Sequence, residues 1–345
     1  MAIPGEWEAL WQRRDSRERS SESGKVIPPS AQSPQSHRAW LGMVLIVVIF
    51  FYTTMRSLIA IFTGLPASTA LRLSLCSSTT IGSHLGTDLL RAFLERQGAH
   101  DVRVSTDGGL TQIRAHLPGR FFETTVELRS DTSSQAFAAL GRRECTLALI
   151  GRSIDPFEAT QFHTPLSANL IALDGAVLVV NPTNPLRSVS TAAVQGIFAG
   201  STQNWSRLGG KPGRITTVLP TDHADEFSTF VEHMLNGQVP TISSRHSDNV
   251  AQTVAAPGNT NALGLTTFHA ADPAKILLPR SRDGNTIAAS TLSIGRRTYP
   301  LVMPIYVYRD ETAMTPAAYQ FISFLDSDEG QDVVVADGFV SPFAF

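Results

Sequence analysis

Residues 173–182 read LDGAVLVVNP, and this segment is the strongest indication of the fold class. Its central run, 176–180, is wholly apolar, which favours a strand covered on both faces. The turn residues NPTNP at 181–185 then interrupt the run. A strand buried on both faces is typical of a sheet with helices packed on either side.

Strands and helices alternate upstream of this run. Strands are predicted over 71–75, 124–128 and 146–150. The first two precede hydroxyl-rich turns, which lead into segments with apolar residues at helical spacing. This alternation predicts a parallel α/β sheet. The turns read SSTT at 77–80, DTSS at 131–134 and GRS at 151–153.

A second set of elements follows the NPTNP turn and predicts a second lobe. A strand predicted over 301–308, with Pro304 at an edge or hinge position, then returns the chain to the first lobe. A last helix follows, capped by Thr315 with Pro316 at its first position. The second set comprises a helix over 191–198, a strand over 215–219 and a helix over 226–235. The lobes are predicted as about 70–180 with 303–345 (lobe I) and about 183–300 (lobe II).

The N-terminal residues predict a membrane anchor. Residues 1–38 are polar and basic, typical of a disordered tail. Residues 39–63 carry the single charge of Arg56 and are long enough to cross a bilayer. The basic flank predicts a cytoplasmic tail and places residues 70–345 outside the inner membrane in the periplasm or extracytoplasmic space. A signal peptide cleaved after Ala70 is the alternative.

Composition narrows the function classes. The 345-residue chain is 42% hydrophobic, has a formal net charge of −2, and contains two cysteines, Cys76 and Cys145. A net charge of −2 does not favour nucleic acid as a partner. Cys76 is expected to end one strand and Cys145 to begin a parallel neighbour, so they are predicted to be free thiols at opposite ends of the sheet. No cofactor is predicted.

The three hydroxyl-rich turns predict an anion site. They follow strands at the edge where open α/β sheets bind ligands, and two of them open helices. Unpaired amides and the helix dipole attract an anion there, and small hydroxyls add donors. The alternative is that each hydroxyl only caps its helix. The candidate ligand-binding residues are Ser78, Thr79, Thr80, Ser133, Ser134, Arg152 and Ser153.

Five sequence motifs stand out along the chain. They are STTIG at 78–82, LDGAVLVVNP at 173–182, IFAG at 197–200 with NWSRLGG at 204–210, ALGL at 262–265, and Ser327 with EGQ at 329–331. Together they resemble motifs of the phosphate-binding proteins of ABC transporters. The resemblance implies a two-lobed type II periplasmic-binding-protein fold and no enzyme activity. It also implies binding of phosphate or a related small oxyanion by lobe closure, for uptake or sensing, with an ABC permease or another envelope protein as partner.

The turn before the second-lobe helix departs from this family. The resemblance implies an arginine and then Ser-Gly-Thr, whereas residues 220–226 read PTDHADE, so that Ala224, Asp225 and Glu226 replace the triplet. Carboxylates roughly 4–6 Å from a bound dianion would repel it. The turn is a helix cap, a site for a ligand with ammonium or hydroxyl groups, or a metal site of Asp222, His223, Asp225 and Glu226.

Motifs of common enzyme classes are missing from the sequence. It contains no Walker A loop, no G-x-S-x-G and no H-E-x-x-H. The leading hypothesis is therefore a membrane-anchored solute-binding protein. The alternative is a non-transport envelope scaffold or sensor domain whose cleft is degenerate or altered.

Overall fold

The computed structural model describes residues 71–281, 283–286 and 288–344, which belong to one compact unit, Ser68–Phe345. The predicted tail at 1–38 and the predicted anchor at 39–63 lie outside these residues. Among the residues described, no helix combines the length and apolarity needed to cross a membrane.

A single path of hydrogen-bonded strands runs through the described part of the chain. The strands are β1 Ser74–Ser78, β2 His100–Asp107, β3 Leu110–His116, β4 Thr124–Asp131, β5 Leu147–Ile150, β6 Ser167–Val180, β7 Ser188–Ser190, β8 Thr216–Leu219, β9 Arg245–His246, β10 Ala262–Thr267, β11 Lys275–Arg280 and β12 Val302–Arg309. The order along the path is β2-β3-β4-β1-β5-β12-β6-β10-β8-β9, while β11 also pairs with β6, and β7 pairs with β11.

Helices cover this sheet and connect its strands. A π-helical segment, Gly82–Gly86, joins the first two helices, and short 3-10 turns occupy Trp205–Leu208 and Glu311–Ala313. The α-helices are α1 Thr79–Ile81, α2 Thr87–Arg96, α3 Ser133–Gly141, α4 Pro156–Ala159, α5 Thr191–Phe198, α6 Asp225–His233, α7 Val250–Ala255, α8 Thr291–Gly295, α9 Pro316–Leu325 and α10 Asp328–Ala336.

The hydrophobic core of lobe I packs helices α2 and α9 against the sheet. Leu89 and Phe93 lie on one buried face of α2, as their spacing predicts. The ring of Phe93 meets that of Phe321 edge to face at 5.2 Å between centroids. Thr315 caps α9, and its side chain accepts a hydrogen bond from the Ala318 amide, as predicted.

Lobe II has its own core. Phe198 of α5 and Phe230 of α6 are buried and meet at 4.9 Å between ring centroids. Trp205 is also buried, and its indole nitrogen donates to the Asn261 carbonyl at 3.0 Å. Gly264 of β10 lets α7 approach, because an added Cβ would lie 2.7 Å from the Val250 side chain.

Strand β6 belongs to both lobes. Its first part, Ser167 to Gly175, pairs with β12, and its last part, Ala176 to Val180, pairs with β10 and β11. All three pairings are antiparallel, so the predicted parallel sheet is correct for β1, β4 and β5 but not around β6. At Pro304, β12 pairs with β6, and its pairing with β5 begins at Tyr306. Proline is tolerated here because its missing amide falls outside the β5 ladder.

Two differences from the sequence prediction concern the first lobe. Strand β1 begins at Ser74, three residues later than predicted, and runs through the buried Ser77 and Ser78. The hairpin of β2 and β3 was not predicted. It turns at Gly108 and Gly109, which both have positive φ, and β2 lacks the alternation that marks a half-buried strand because nearly all of it is exposed.

The two cysteines form a disulfide bond, so the prediction of free thiols is wrong. Because β1 starts late, Cys76 lies in the middle of the strand and not at its end. The turn before β5 brings Cys145 beside it, with 5.8 Å between the Cα atoms. Both residues pack under α3, against Ala136 and Phe137.

Candidate functional site

A cleft of about 490 Å³ lies where helices from both lobes begin. Lobe I contributes the end of β1 and the start of α1. Lobe II contributes the turn before α6, the start of α7 and the segment after β10. The lining includes Ser78, Thr79, Thr80, His84, Asp131, Thr221, His223, Asp225, Glu226, Asp248, Asn249, Thr266, Thr267, His269 and Asp272.

Asp225 of lobe II reaches across to lobe I. Its Oδ1 accepts a hydrogen bond from the Ser133 hydroxyl at 2.5 Å, and its Oδ2 accepts one from the Gly151 amide at 3.1 Å. The Nε of Arg152 lies 3.8 Å from Oδ1. The side chain is only 1% exposed, so these charge-assisted contacts replace its hydration.

Helix α3 provides the positive environment for this carboxylate. Ser133 is its first residue, and Thr132 caps it by accepting from the Gln135 amide, while the Gln135 side chain accepts from the Thr132 amide. The reciprocal capping fixes the helix start at the end of β4. The dipole of α3 therefore points its positive end at Asp225.

Glu226 makes a second contact between the lobes. Its Oε2 accepts a hydrogen bond from the Thr80 hydroxyl at 3.2 Å. Burial raises the pKa of Glu226 to about 7, and the neighbouring charge of Asp225 adds to the rise. Near neutral pH, Glu226 is thus present in both protonated and ionised forms.

Arg152 is mostly engaged within lobe I. Its guanidinium donates two hydrogen bonds to Glu158, at 2.7 and 2.8 Å, and lies over the Phe137 ring. Burial opposes ionisation of Glu158, but hydrogen bonds from Arg152 and Ser134 outweigh it and hold the pKa of Glu158 at about 2. Arg152 is thus oriented by Glu158 and faces Asp225 with its Nε.

The predicted ligand residues divide between two places. Ser78, Thr79 and Thr80 line the cleft. Ser133, Ser134 and Arg152 line a neighbouring open depression of about 400 Å³, and Ser133 connects to the cleft through Asp225. Ser153 is exposed and lines neither.

Ser78 and Thr79 differ in how their hydroxyls are satisfied. The Ser78 Oγ is buried and has no hydrogen-bond partner among the described residues. The Thr79 hydroxyl donates to the carbonyl of Asp131 at 3.0 Å. Ser78 is therefore a donor available to a group that enters the cleft.

The structure bears on two interpretations of the acidic turn, the helix cap and the metal site. Asp225 and Glu226 do lie in the first turn of α6, as a cap requires, but both are buried and bonded to the other lobe, so they are not a solvated cap. Among the described residues, no group of three or more His, Cys, Asp and Glu is arranged to hold a metal ion.

Carboxylates dominate the charge around the cleft. Neither lysine nor arginine occurs among its described lining residues. This acidic lining disfavours a dianion unless carboxylates are protonated or move away. The lining carboxylates are those of Asp131, Asp225, Glu226, Asp248 and Asp272.

Two residues that shape the site were not among the predicted site residues. Gly151 donates its amide to Asp225 and has no side chain to block the approach, since an added Cβ would lie 2.8 Å from Oδ2. Glu158 orients Arg152. Glu158 had a sequence signal, because DPFE at 155–158 is a capping box with proline at the first helical position.

Two lobes joined by shared strands, with a cleft between helix N-termini, define a bilobal binding-protein architecture. A family model described as a PBP superfamily domain matches residues 111–329. The chain belongs to this family. The membership confirms the predicted type II periplasmic-binding-protein fold.

Known proteins with similar sequences are phosphate-binding proteins. The chain is 31% identical over 170 residues to the phosphate-binding protein PstS of Bacillus subtilis, an alignment covering 48% of this chain and 54% of that protein. It is 29% identical over 86 residues to PstS 2 of Streptococcus pneumoniae, covering 25% and 28%. The chain thus spans about half the length, or less, of these relatives. They confirm the resemblance, and a family of binding proteins agrees with the prediction of no enzyme activity.

Solved structures show the same fold. An ABC-type phosphate transport receptor from Vibrio cholerae superposes with a TM-score of 0.60 at 19% identity, over 78% of this chain and 100% of that one. A phosphate-bound protein from Clostridium perfringens, assigned as a phosphate ABC transporter substrate-binding protein, gives 0.61 at 22%, over 78% and 98%. At these identities the likeness concerns the fold alone.

Proposed function

We propose that this protein is an extracytoplasmic solute-binding protein that captures phosphate or a related small oxyanion between its two lobes. Closure of the lobes serves uptake or sensing. Support comes from the similarity to phosphate-binding proteins and from the helix N-termini at the cleft.

One observation carries the proposal. Lobe I already coordinates two anionic oxygens, those of the Asp225 carboxylate, with the Ser133 hydroxyl, the Gly151 amide and the nearby Arg152. A carboxylate and a phosphate present similar oxygen atoms to such donors. The donor set is therefore suited to an oxyanion.

The proposed location is the outer side of the inner membrane, where residues 39–63 anchor the chain with its N-terminus in the cytoplasm. The disulfide between Cys76 and Cys145 supports an oxidising compartment. An ABC permease, or another envelope protein, is the proposed partner. Either partner would contact a domain in which the distance between the lobes changes when solute binds.

A second candidate function is a sensor or scaffold domain of the cell envelope that takes up no exchangeable solute. Two contacts favour it. Asp225 uses the donors of lobe I, and Glu226 uses the Thr80 hydroxyl. Both contacts join the lobes through the protein's own side chains.

Calorimetric titration of the full-length protein in detergent tests the proposal. Phosphate and sulfate are titrated, with a neutral polyol as a third ligand. We expect saturable binding of phosphate, weakened by Ser133→Ala because that variant loses a hydroxyl donor. Ser201→Ala, an exposed position in lobe II, is the matched control. Absence of binding to both anions would contradict oxyanion capture and favour the second candidate.

A further inference from the structure

We propose that Asp225 is a resident carboxylate that occupies the oxyanion subsite of lobe I, so that an incoming oxyanion must displace it. Asp225 would then be the residue that sets the affinity of the cleft. This inference rests on the proposed function, because it concerns the same donors.

The contacts of Asp225 lie on the opposite lobe from its own backbone. Asp225 begins α6 in lobe II, whereas Ser133 and Gly151 follow β4 and β5 in lobe I. Each carboxylate oxygen has its own donor, at 2.5 and 3.1 Å. The side chain thus behaves towards lobe I as a bound anion does, although it is covalently part of lobe II.

A simple helix-capping role does not account for this geometry. A capping carboxylate accepts from amides of its own first turn. The residue before α6 is Ala224, which has no side-chain cap, and the Asp225 oxygens bond to Ser133 and Gly151 instead. The carboxylate turns away from its own helix and towards the start of α3.

The Asp225 carboxylate fills the space beside Gly151 at the end of β5. The Oδ2 atom of Asp225 is only 2.8 Å from where a Cβ on Gly151 would stand, so no ligand atom fits between the carboxylate and the strand end. An oxyanion can reach these donors when the lobes separate and Asp225 withdraws. Opening also breaks the hydrogen bond between Thr80 and Glu226.

The test compares two variants at this position with a matched control in the full-length protein. Asp225→Ala removes the carboxylate, and Asp225→Asn keeps its shape without the charge. Asp222→Asn makes the same charge change in the same turn, but its side chain is 69% exposed and lies near His246, away from lobe I. Circular dichroism and thermal unfolding identify any variant that fails to fold.

Two measurements are made on each protein. By calorimetry, we expect phosphate affinity to rise about tenfold or more in both Asp225 variants, since repulsion and competition are removed, and to stay within about twofold in Asp222→Asn. By small-angle X-ray scattering without phosphate, we expect a larger radius of gyration for Asp225→Ala than for the wild type, and compaction when phosphate is added.

The outcomes separate this inference from the proposed function. If the wild type binds phosphate and both Asp225 variants bind it equally or more weakly, the inference is wrong and the function stands. If no protein binds an oxyanion, the proposed function is wrong. In that case the inference is wrong as well, because no oxyanion enters the subsite even without the carboxylate. Where the wild type does bind phosphate, an unchanged radius of gyration in Asp225→Ala also overturns the inference.

Discussion

The Nδ1 of His269 lies 2.6 Å from Oδ2 of Asp174, where strand β6 passes from one lobe to the other. Because an ionised carboxylate only accepts, the histidine ring donates. The other oxygen of Asp174 accepts from the amides of Gly175 and His269. The His269 ring also stacks on Phe339, with 4.2 Å between centroids. Asp174 thus links β6 to the segment after β10, and His269 links that segment to the C-terminal one.

We expect Asp174→Asn to destabilise the protein by about 1–3 kcal/mol, because the amide nitrogen cannot accept one of these buried hydrogen bonds. The free energy of unfolding, from urea denaturation, is the measurement. Asp107→Asn, at the exposed end of β2, is the control. Equal stability of the two variants would show that the contact between Asp174 and His269 contributes little.

The disulfide predicts sensitivity to reductant. It closes a loop with a sequence separation of 69, for which the loss of chain entropy in the unfolded state amounts to about 4 kcal/mol. Reduction should lower the free energy of unfolding by about 2–4 kcal/mol, measured by urea denaturation with and without a phosphine reductant. The Cys76→Ser/Cys145→Ser double variant is the control and should not respond. A wild type equally stable in both conditions would contradict the prediction.

Glu226 predicts a pH dependence of stability. Its pKa is about 7 in the folded protein and near 4.5 when unfolded. Between these values the folded state keeps a proton that the unfolded state has released, so stability falls as pH rises from 4.5 to 7 and then levels off. The loss from this group is about 3 kcal/mol at most.

Urea denaturation at pH 5, 6, 7 and 8 measures this effect. Glu226→Gln should remove it, so the difference in unfolding free energy between variant and wild type should change over the window. Contributions from other groups are common to both proteins and cancel in this comparison. Glu232→Gln, 76% exposed on the same helix, is the control. Parallel curves for Glu226→Gln and wild type would rule out a raised pKa.

Elements with strong local signals were predicted well from sequence. The bounds of α5, Thr191–Phe198, and the cap of α9 at Thr315 follow from residues within a few positions of the helix ends. The strands that pair with β6 could not be predicted in this way. Its apolar run 176–180 fits a buried strand with either parallel or antiparallel neighbours. The pairing with β10, β11 and β12 depends on residues about 80 to 140 positions away.

The site was predictable in its residue types but not in its contacts. Hydroxyl-rich turns identified Thr80 and Ser133, and the acidic turn identified Asp225 and Glu226. The hydrogen bonds between these two sets could not be predicted from neighbouring residues, since Ser133 and Asp225 are 92 positions apart. The wrong prediction for the cysteines had a related origin, because a strand predicted three residues too early placed Cys76 at the end of β1 and not in its middle.

Tethering gives Asp225 a kinetic and thermodynamic advantage over any free anion. A group on the same chain competes at an effective concentration, commonly in the roughly millimolar range, that does not change with the surroundings. Under the proposed role of Asp225, this internal competitor raises the apparent dissociation constant of the cleft for free phosphate. The cleft would therefore fill only at higher solute concentrations than its lobe I donors alone require.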